Sequence, residues 1–197
     1  ADAYRAAPVF EERAKESFEL LAPFYDKMHK RITRKAIKPR PVDYHPYDVG
    51  GGVEDVTSVD RLRQDYEETG GIEVARIDSE HPVLSPDENV RARVVHDYMS
   101  HISPKKPAGF SSPTVPGSIF QEIRAYNIHL KTLPPAAAPA LFTEVMGQVC
   151  YYYVYEDFIE QKVALLDGFD YLNPGIVYPE TGYKNVGRRL VPINQED

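Results

Sequence analysis

SPDENVRARVVHDYMSHI, residues 85–102, decides how the rest of the chain is read. Ser85 followed by Pro86, with Glu88 at the third helical position, forms a capping box with proline in the first turn. The spacing predicts a helix running to about Ile102, where Pro104 stops it. Val90, Val94, Asp97 and His101 recur at i, i+4, i+7 and i+11 and share one face. That face begins as ordinary core and ends in a carboxylate and an imidazole. Such groups are costly to bury unless an ion, a ligand or one another binds them. On a regular α-helix His96 projects about 100° away from Asp97, alongside Asn89, Arg93 and Ser100.

Working outward, Ser118 and Gln121 repeat the capping pattern and open a helix over 119–131, closed before Pro134-Pro135. A third helix is expected over 140–154 and a fourth over EDFIEQKVALLD, residues 156–167, ended by Gly168. Towards the N-terminus, apolar positions at Phe10, Ala14, Phe18, Leu21 and Tyr25 predict a helix over 8–31 with a kink at Pro23. KPRPVDYHPYDVGGG, residues 38–52, is rich in proline and glycine and reads as irregular. A helix over 58–69 follows, and then IEVARI, residues 72–77, alternates as a strand does. With VDY at 42–44 it would make a small sheet, without a βαβ rhythm. The expected fold is therefore mainly α, a helical bundle with a small β element in its N-terminal half. One domain over 1–197 is expected, divided into an N-terminal helix and irregular or β region (1–84), a helical region carrying the polar residues (85–167) and a C-terminal tail (168–197). A proline-rich loop at 104–118 stands where a lid would stand.

Composition sets the outer limits. The 197 residues are 42% hydrophobic and 27% charged, the balance of a soluble globular domain. No run approaches the roughly 18 apolar residues that cross a bilayer, and ADAYRAAPVFEERAKE at the start lacks the pattern of a signal peptide. The single cysteine, Cys150, excludes an internal disulfide and a thiolate-built metal site and fits a cytoplasmic setting. The net charge of −7 contains one basic strip, Lys27, Lys30, Arg31, Arg34, Lys35, Lys38 and Arg40, with no acid among them. It could contact phosphate or a nucleic-acid backbone, or simply be a solvated helix end that complements the helix dipole.

The candidate site comes from three predicted helices. Asp97 and His101 lie one turn apart on the first; Glu122, Tyr126 and His129 line one side of the second; Glu144, Gln148 and Tyr151 do so on the third. Carboxylate and imidazole without thiolate suit a divalent metal, with iron favoured and zinc or manganese as alternatives. The preferred ligands are His101, His129 and a carboxylate from Asp97, Glu122 or Glu144, a two-histidine, one-carboxylate set that leaves positions open. Tyr126, His96 and Arg93 are the candidate catalytic residues, with Tyr126 near the open face. Glu122 and His129 are separated by about 10.5 Å of helix rise, and the E-x-x-H spacing of di-iron bundles is absent, so one metal is favoured over two. The metal-free alternative is a hydrogen-bonded network, in which Asp97 pairs with Arg93 or Arg124, Glu122 meets a neighbouring histidine and Gln148 bonds tyrosine hydroxyls.

Two resemblances bear on function. The doublet His96-Asp97 resembles that of HD-type phosphohydrolases, all-helical enzymes whose metals activate water against phosphorus. Separately, SPDENVRARVVHDYMSH, QEIRAYNIH and ALFTEVMGQ together resemble a family of bacteriophage and mobile-element proteins without assigned activity. Its pattern is R-x-x-H-D-x-x-x-H, then E-x-x-A-x-x-x-H, then A-L-x-x-E-x-x-G-Q, over residues 80–167. That resemblance implies a shared site at Arg93, His96, Asp97, His101, Glu122, His129, Glu144 and Gln148, and a phage origin. The expectations are accordingly a mononuclear non-haem iron oxidoreductase acting on a small-molecule or nucleotide substrate in the host cytoplasm. An HD-like metal hydrolase of phosphate esters is the alternative, and a metal-free virion or binding protein the third.

Overall fold

The computed structural model describes residues 1–35, 37–47, 56–105, 107–111 and 117–172, together with three short strands beyond them; for residues 56–58 and the strands it describes the backbone alone. The chain clusters into two compact units, Ala1–Leu166 and Asp167–Asp197.

The first unit is mainly helical. It comprises α1 (Asp2–Ala6), α2 (Lys15–Glu19), α3 (Leu21–Lys35), β1 (Lys38–Val42), α4 (Val56–Thr69), β2 (Gly71–Ala75), α5 (Pro86–His96), α6 (Ile119–Leu130), α7 (Ala138–Leu141) and α8 (Gln148–Tyr155). Two helices widen into π-helical turns: Asp97–Ile102 continues α5, and Phe142–Gly147 joins α7 to α8. The capping box forms as expected, with the Glu88 amide donating to the Ser85 hydroxyl and the Ser85 amide to the Glu88 carboxylate. At Ser118 no side-chain cap forms, and Gln121 instead accepts from the Gly109 amide at 3.0 Å.

Several expectations are corrected. The N-terminal helix is two, broken at Leu20, and Pro23 sits in the first turn of α3, where its missing N–H costs nothing. Strand β1 is KPRPV, not VDY. It runs parallel to β2 in the register Lys38↔Gly71 to Val42↔Ala75, with α4 between them in sequence. This is a βαβ arrangement that proline masked: among the described residues β1 has a partner on one side only, and an edge strand tolerates missing donors. Arg40 fastens that edge by a two-pronged pair with Asp65 on α4, at 2.7 Å for both oxygens. Residues 157–166 are not a helix. Glu156 takes a left-handed conformation (φ 56°) that ends α8, and the chain then runs extended, bridging Phe10 through Val163.

The core gathers Tyr4, Phe18, Leu21, Tyr126, Leu141 and Met146, all essentially inaccessible. α3 packs chiefly on α5, while α6 packs on both π turns, so the widened segments face the middle of the bundle. Of the basic strip, Arg40 is engaged as above and Lys30 pairs with Asp26 on its own helix; Lys27, Lys30, Arg31, Arg34, Lys35 and Lys38 are exposed. Among the described residues no helix is long and apolar enough to cross a membrane. The second unit carries an antiparallel meander, β3 (Val177–Tyr178), β4 (Tyr183–Val186) and β5 (Arg189–Pro192).

Candidate metal centre

The π turn after α5 determines which side chains meet. On an α-helix, residues five apart sit about 140° from one another. In the π turn the amide of residue i reaches the carbonyl of i−5, as Ser103 does to Tyr98 at 2.8 Å, which brings residues five apart onto adjacent turns of one face. His96 and His101 are such a pair. Their Nε2 atoms lie 3.3 Å apart, and with an Asp97 carboxylate oxygen they form a group whose ligand atoms all fall within 4.8 Å of one another. Two ligands each about 2.1 Å from one ion, at about 90–109° to each other, would stand about 3.0–3.4 Å apart. The imidazole spacing fits that.

The surroundings prepare these groups as ligands. His101 Nδ1 lies 3.2 Å from the Ala108 carbonyl, which can only accept, so Nδ1 carries the proton and the Nε2 lone pair is left for an ion. Bonding the far ring nitrogen to a carbonyl is the usual support for a metal-bound histidine. Arg63 on α4 braces the same carbonyl at 2.9 Å and the His101 carbonyl at 3.0 Å, and the Ala108 amide donates to Ser100 at 2.8 Å. Phe110 packs edge-on against the His101 ring. His129 stacks on His96, with ring centroids 5.3 Å apart and planes 10° apart, and its Nε2 meets the Ser100 hydroxyl at 3.2 Å. Glu122 on α6 brings Oε1 to 3.7 Å from His96 Nε2. That oxygen is buried and has no hydrogen-bond partner among the described residues.

Electrostatics follow from burial. Burial pushes Asp97 up to about 7 against the opposing pull of Arg93. Glu122 also rises to about 7 by burial, opposed by the Ser111 hydroxyl at 3.2 Å. Burial lowers His96 to about 4 and His129 to about 3, and holds His101 well below its ordinary value. At neutral pH the imidazoles are therefore uncharged and the two carboxyls stand near their midpoint. A divalent cation supplies the positive charge that such a cluster otherwise lacks.

A cavity of about 930 Å³ opens beside the group. His96, Asp97, Arg93, Glu122, Glu144 and Gln148 all contribute to its wall. His129 does not stand in the ligand group and does not line the cavity; His96, expected to point elsewhere, takes the place given to it. Glu144 is joined to His81 at 3.2 Å. Tyr126 is buried in the core with its hydroxyl donating to the Ala138 carbonyl, away from the cavity wall. Arg93 does not pair with Asp97 by a direct bond; its guanidinium donates to the carbonyls of Ala75, Ile77 and Asp78, tying α5 to the end of β2. Sequence reasoning placed Ser100 beside His96 but missed Arg63 and Ala108, whose roles depend on a loop folding back. It also missed the pairing of His96 with His101, which a regular α-helix would hold about 140° apart.

The chain matches no protein-family model, no curated protein and no solved structure.

Proposed function

We propose that the chain is a mononuclear metalloenzyme of the non-haem iron type, an oxidoreductase acting on a small molecule in the cavity. His96, Asp97 and His101 would hold the ion, with Glu122 next to them at 3.7 Å from His96 Nε2. The observation that carries the reading is the pair of imidazole nitrogens 3.3 Å apart, one fixed as a lone-pair donor by Ala108, beside a carboxylate and a sizeable cavity. Two histidines and one carboxylate leave coordination positions open, which in iron enzymes lets substrate and dioxygen bind together. The cavity supplies the space those positions need.

Hydrolysis of phosphate esters is the second reading, favoured by the His96-Asp97 doublet. The wall of the cavity speaks against it. Asp78, Glu80, Asp97, Glu122, Glu144 and Glu160 contribute to that wall, while Arg93 is already committed to three backbone carbonyls. A phosphate would meet the ion without a free guanidinium or ammonium to help hold it.

The test is anaerobic loading of the purified chain with ferrous iron followed by exposure to air. The expected result is one iron per chain and an optical change with oxygen uptake, both absent in His96→Ala. Tight uptake of zinc or manganese with release of phosphate from generic esters, and no oxygen response, would instead establish the hydrolase.

A further inference from the structure

We infer that the cavity receives a small molecule bearing a protonated amine, and that Glu144, oriented by His81, is the carboxylate that holds it. The inference rests on the reading that this cavity is the substrate chamber, and it concerns a group that the ion does not use. Glu144 sits on the second π turn, Phe142–Gly147, with its side chain 14% exposed.

The side chain of His81 is fully buried, and its Nδ1 accepts from two amides, Val83 at 3.1 Å and Leu84 at 2.9 Å. With Nδ1 taken as acceptor, the proton must lie on Nε2, where it donates to Glu144 Oε1 at 3.2 Å. A protonated Nε2 offers no lone pair to a metal. The His81–Glu144 pair is therefore a hydrogen-bonded dyad and not a second metal site. Phe18 stacks on the His81 ring at 5.8 Å and helps fix its plane. One carboxylate oxygen is thus pinned, and the other has no hydrogen bond among the described residues on a side chain that lines the cavity.

The charge of the chamber selects the ligand. Of its acids, Asp97 belongs to the metal group, Glu122 lies 3.7 Å from His96 Nε2, Asp78 meets His45 at 3.1 Å, and Glu80 and Glu160 are exposed to solvent. Glu144 remains, facing a cavity whose one arginine is occupied. Tyr25, Phe110 and Phe158 add aromatic wall, which favours an organic cation over a hydrated inorganic one. Away from the ion, an anionic group would meet repulsion from Glu144, whereas an ammonium would form a charge-assisted bond to that oriented carboxylate.

The experiment uses three probes of matched shape, 2-phenylethylamine, 2-phenylethanol and 3-phenylpropanoate, titrated by NMR against the manganese-loaded full chain. The expected result is that the amine binds at least tenfold more tightly than either partner. Glu144→Gln should remove that preference, leaving the weak binding of the alcohol and the metal content unchanged. His81→Leu should weaken amine binding several-fold and spare the alcohol, since it only frees the carboxylate to turn. Equal binding of all three, binding of none at millimolar concentration, or a preference that survives Glu144→Gln would overturn the inference. If the chain takes up no metal yet keeps a Glu144-dependent amine preference, the metalloenzyme reading falls and the amine site stands. If metal uptake and oxygen response persist without that preference, only the amine site falls.

Discussion

At the scale of single residues, the protonation states decide what the cluster can do. Histidines that must lose a proton to bind an ion usually set the pH dependence of a site near their ordinary value. Here burial has already removed those protons: His96 is lowered to about 4 and His101 well below its ordinary value. The groups still protonated near neutrality are Asp97 and Glu122, each raised to about 7. Since the ion displaces those protons, binding is opposed below that value and unopposed above it. Apparent affinity for a divalent ion should therefore climb between about pH 5 and 7, by roughly tenfold per pH unit for each proton released, and level off above. Calorimetric titrations in buffers of different ionisation enthalpy measure both the slope and the proton count. A flat profile across that window would show that neither carboxyl is displaced.

At the scale of elements, the site depends on two helices that depart from α geometry and on the contacts that hold them there. Arg63 is the clearest such contact, because it grips the Ala108 carbonyl that also orients His101. Arg63→Met should leave the helical content intact and lower metal affinity by about 10–100-fold, the usual effect of losing an outer support, as read by competition with a chelator. Gly147 closes the second π turn, and a Cβ there would come within 2.6 Å of the Tyr4 ring and 2.8 Å of a Leu166 methyl. Gly147→Ala should accordingly cost about 1–3 kcal/mol in urea denaturation, through overpacking. The helices themselves were readable from Ser85, Pro86, Glu88 and the spacing of Val90 and Val94, because capping and burial are local and periodic. The π turns were not, since a helix widens where tertiary packing favours it, and no spacing rule marks the place. That is why His129 was expected on the ion and His96 was not. It is also why KPRPV was read as irregular: its prolines exclude a central strand but not an edge, and the partner that makes it a strand lies across α4.

At the scale of the whole molecule, the first unit is a helical frame that turns several costly buried groups toward one cavity. Two adjoining imidazoles beside two raised carboxyls, one of which, Glu122, has an oxygen with no hydrogen-bond partner among the described residues, are costly in a protein that only needed to fold. A bound ion satisfies the ligands among them at once. The decisive measurement is elemental analysis of the metal-loaded chain after gel filtration, beside His96→Ala, His101→Ala and His129→Gln. The account predicts one divalent ion per chain in the wild type and in His129→Gln, and none in the two alanine variants, with helical content preserved throughout. A wild-type chain that retains no ion, or a His129→Gln variant that loses it while His96→Ala keeps it, would contradict the account.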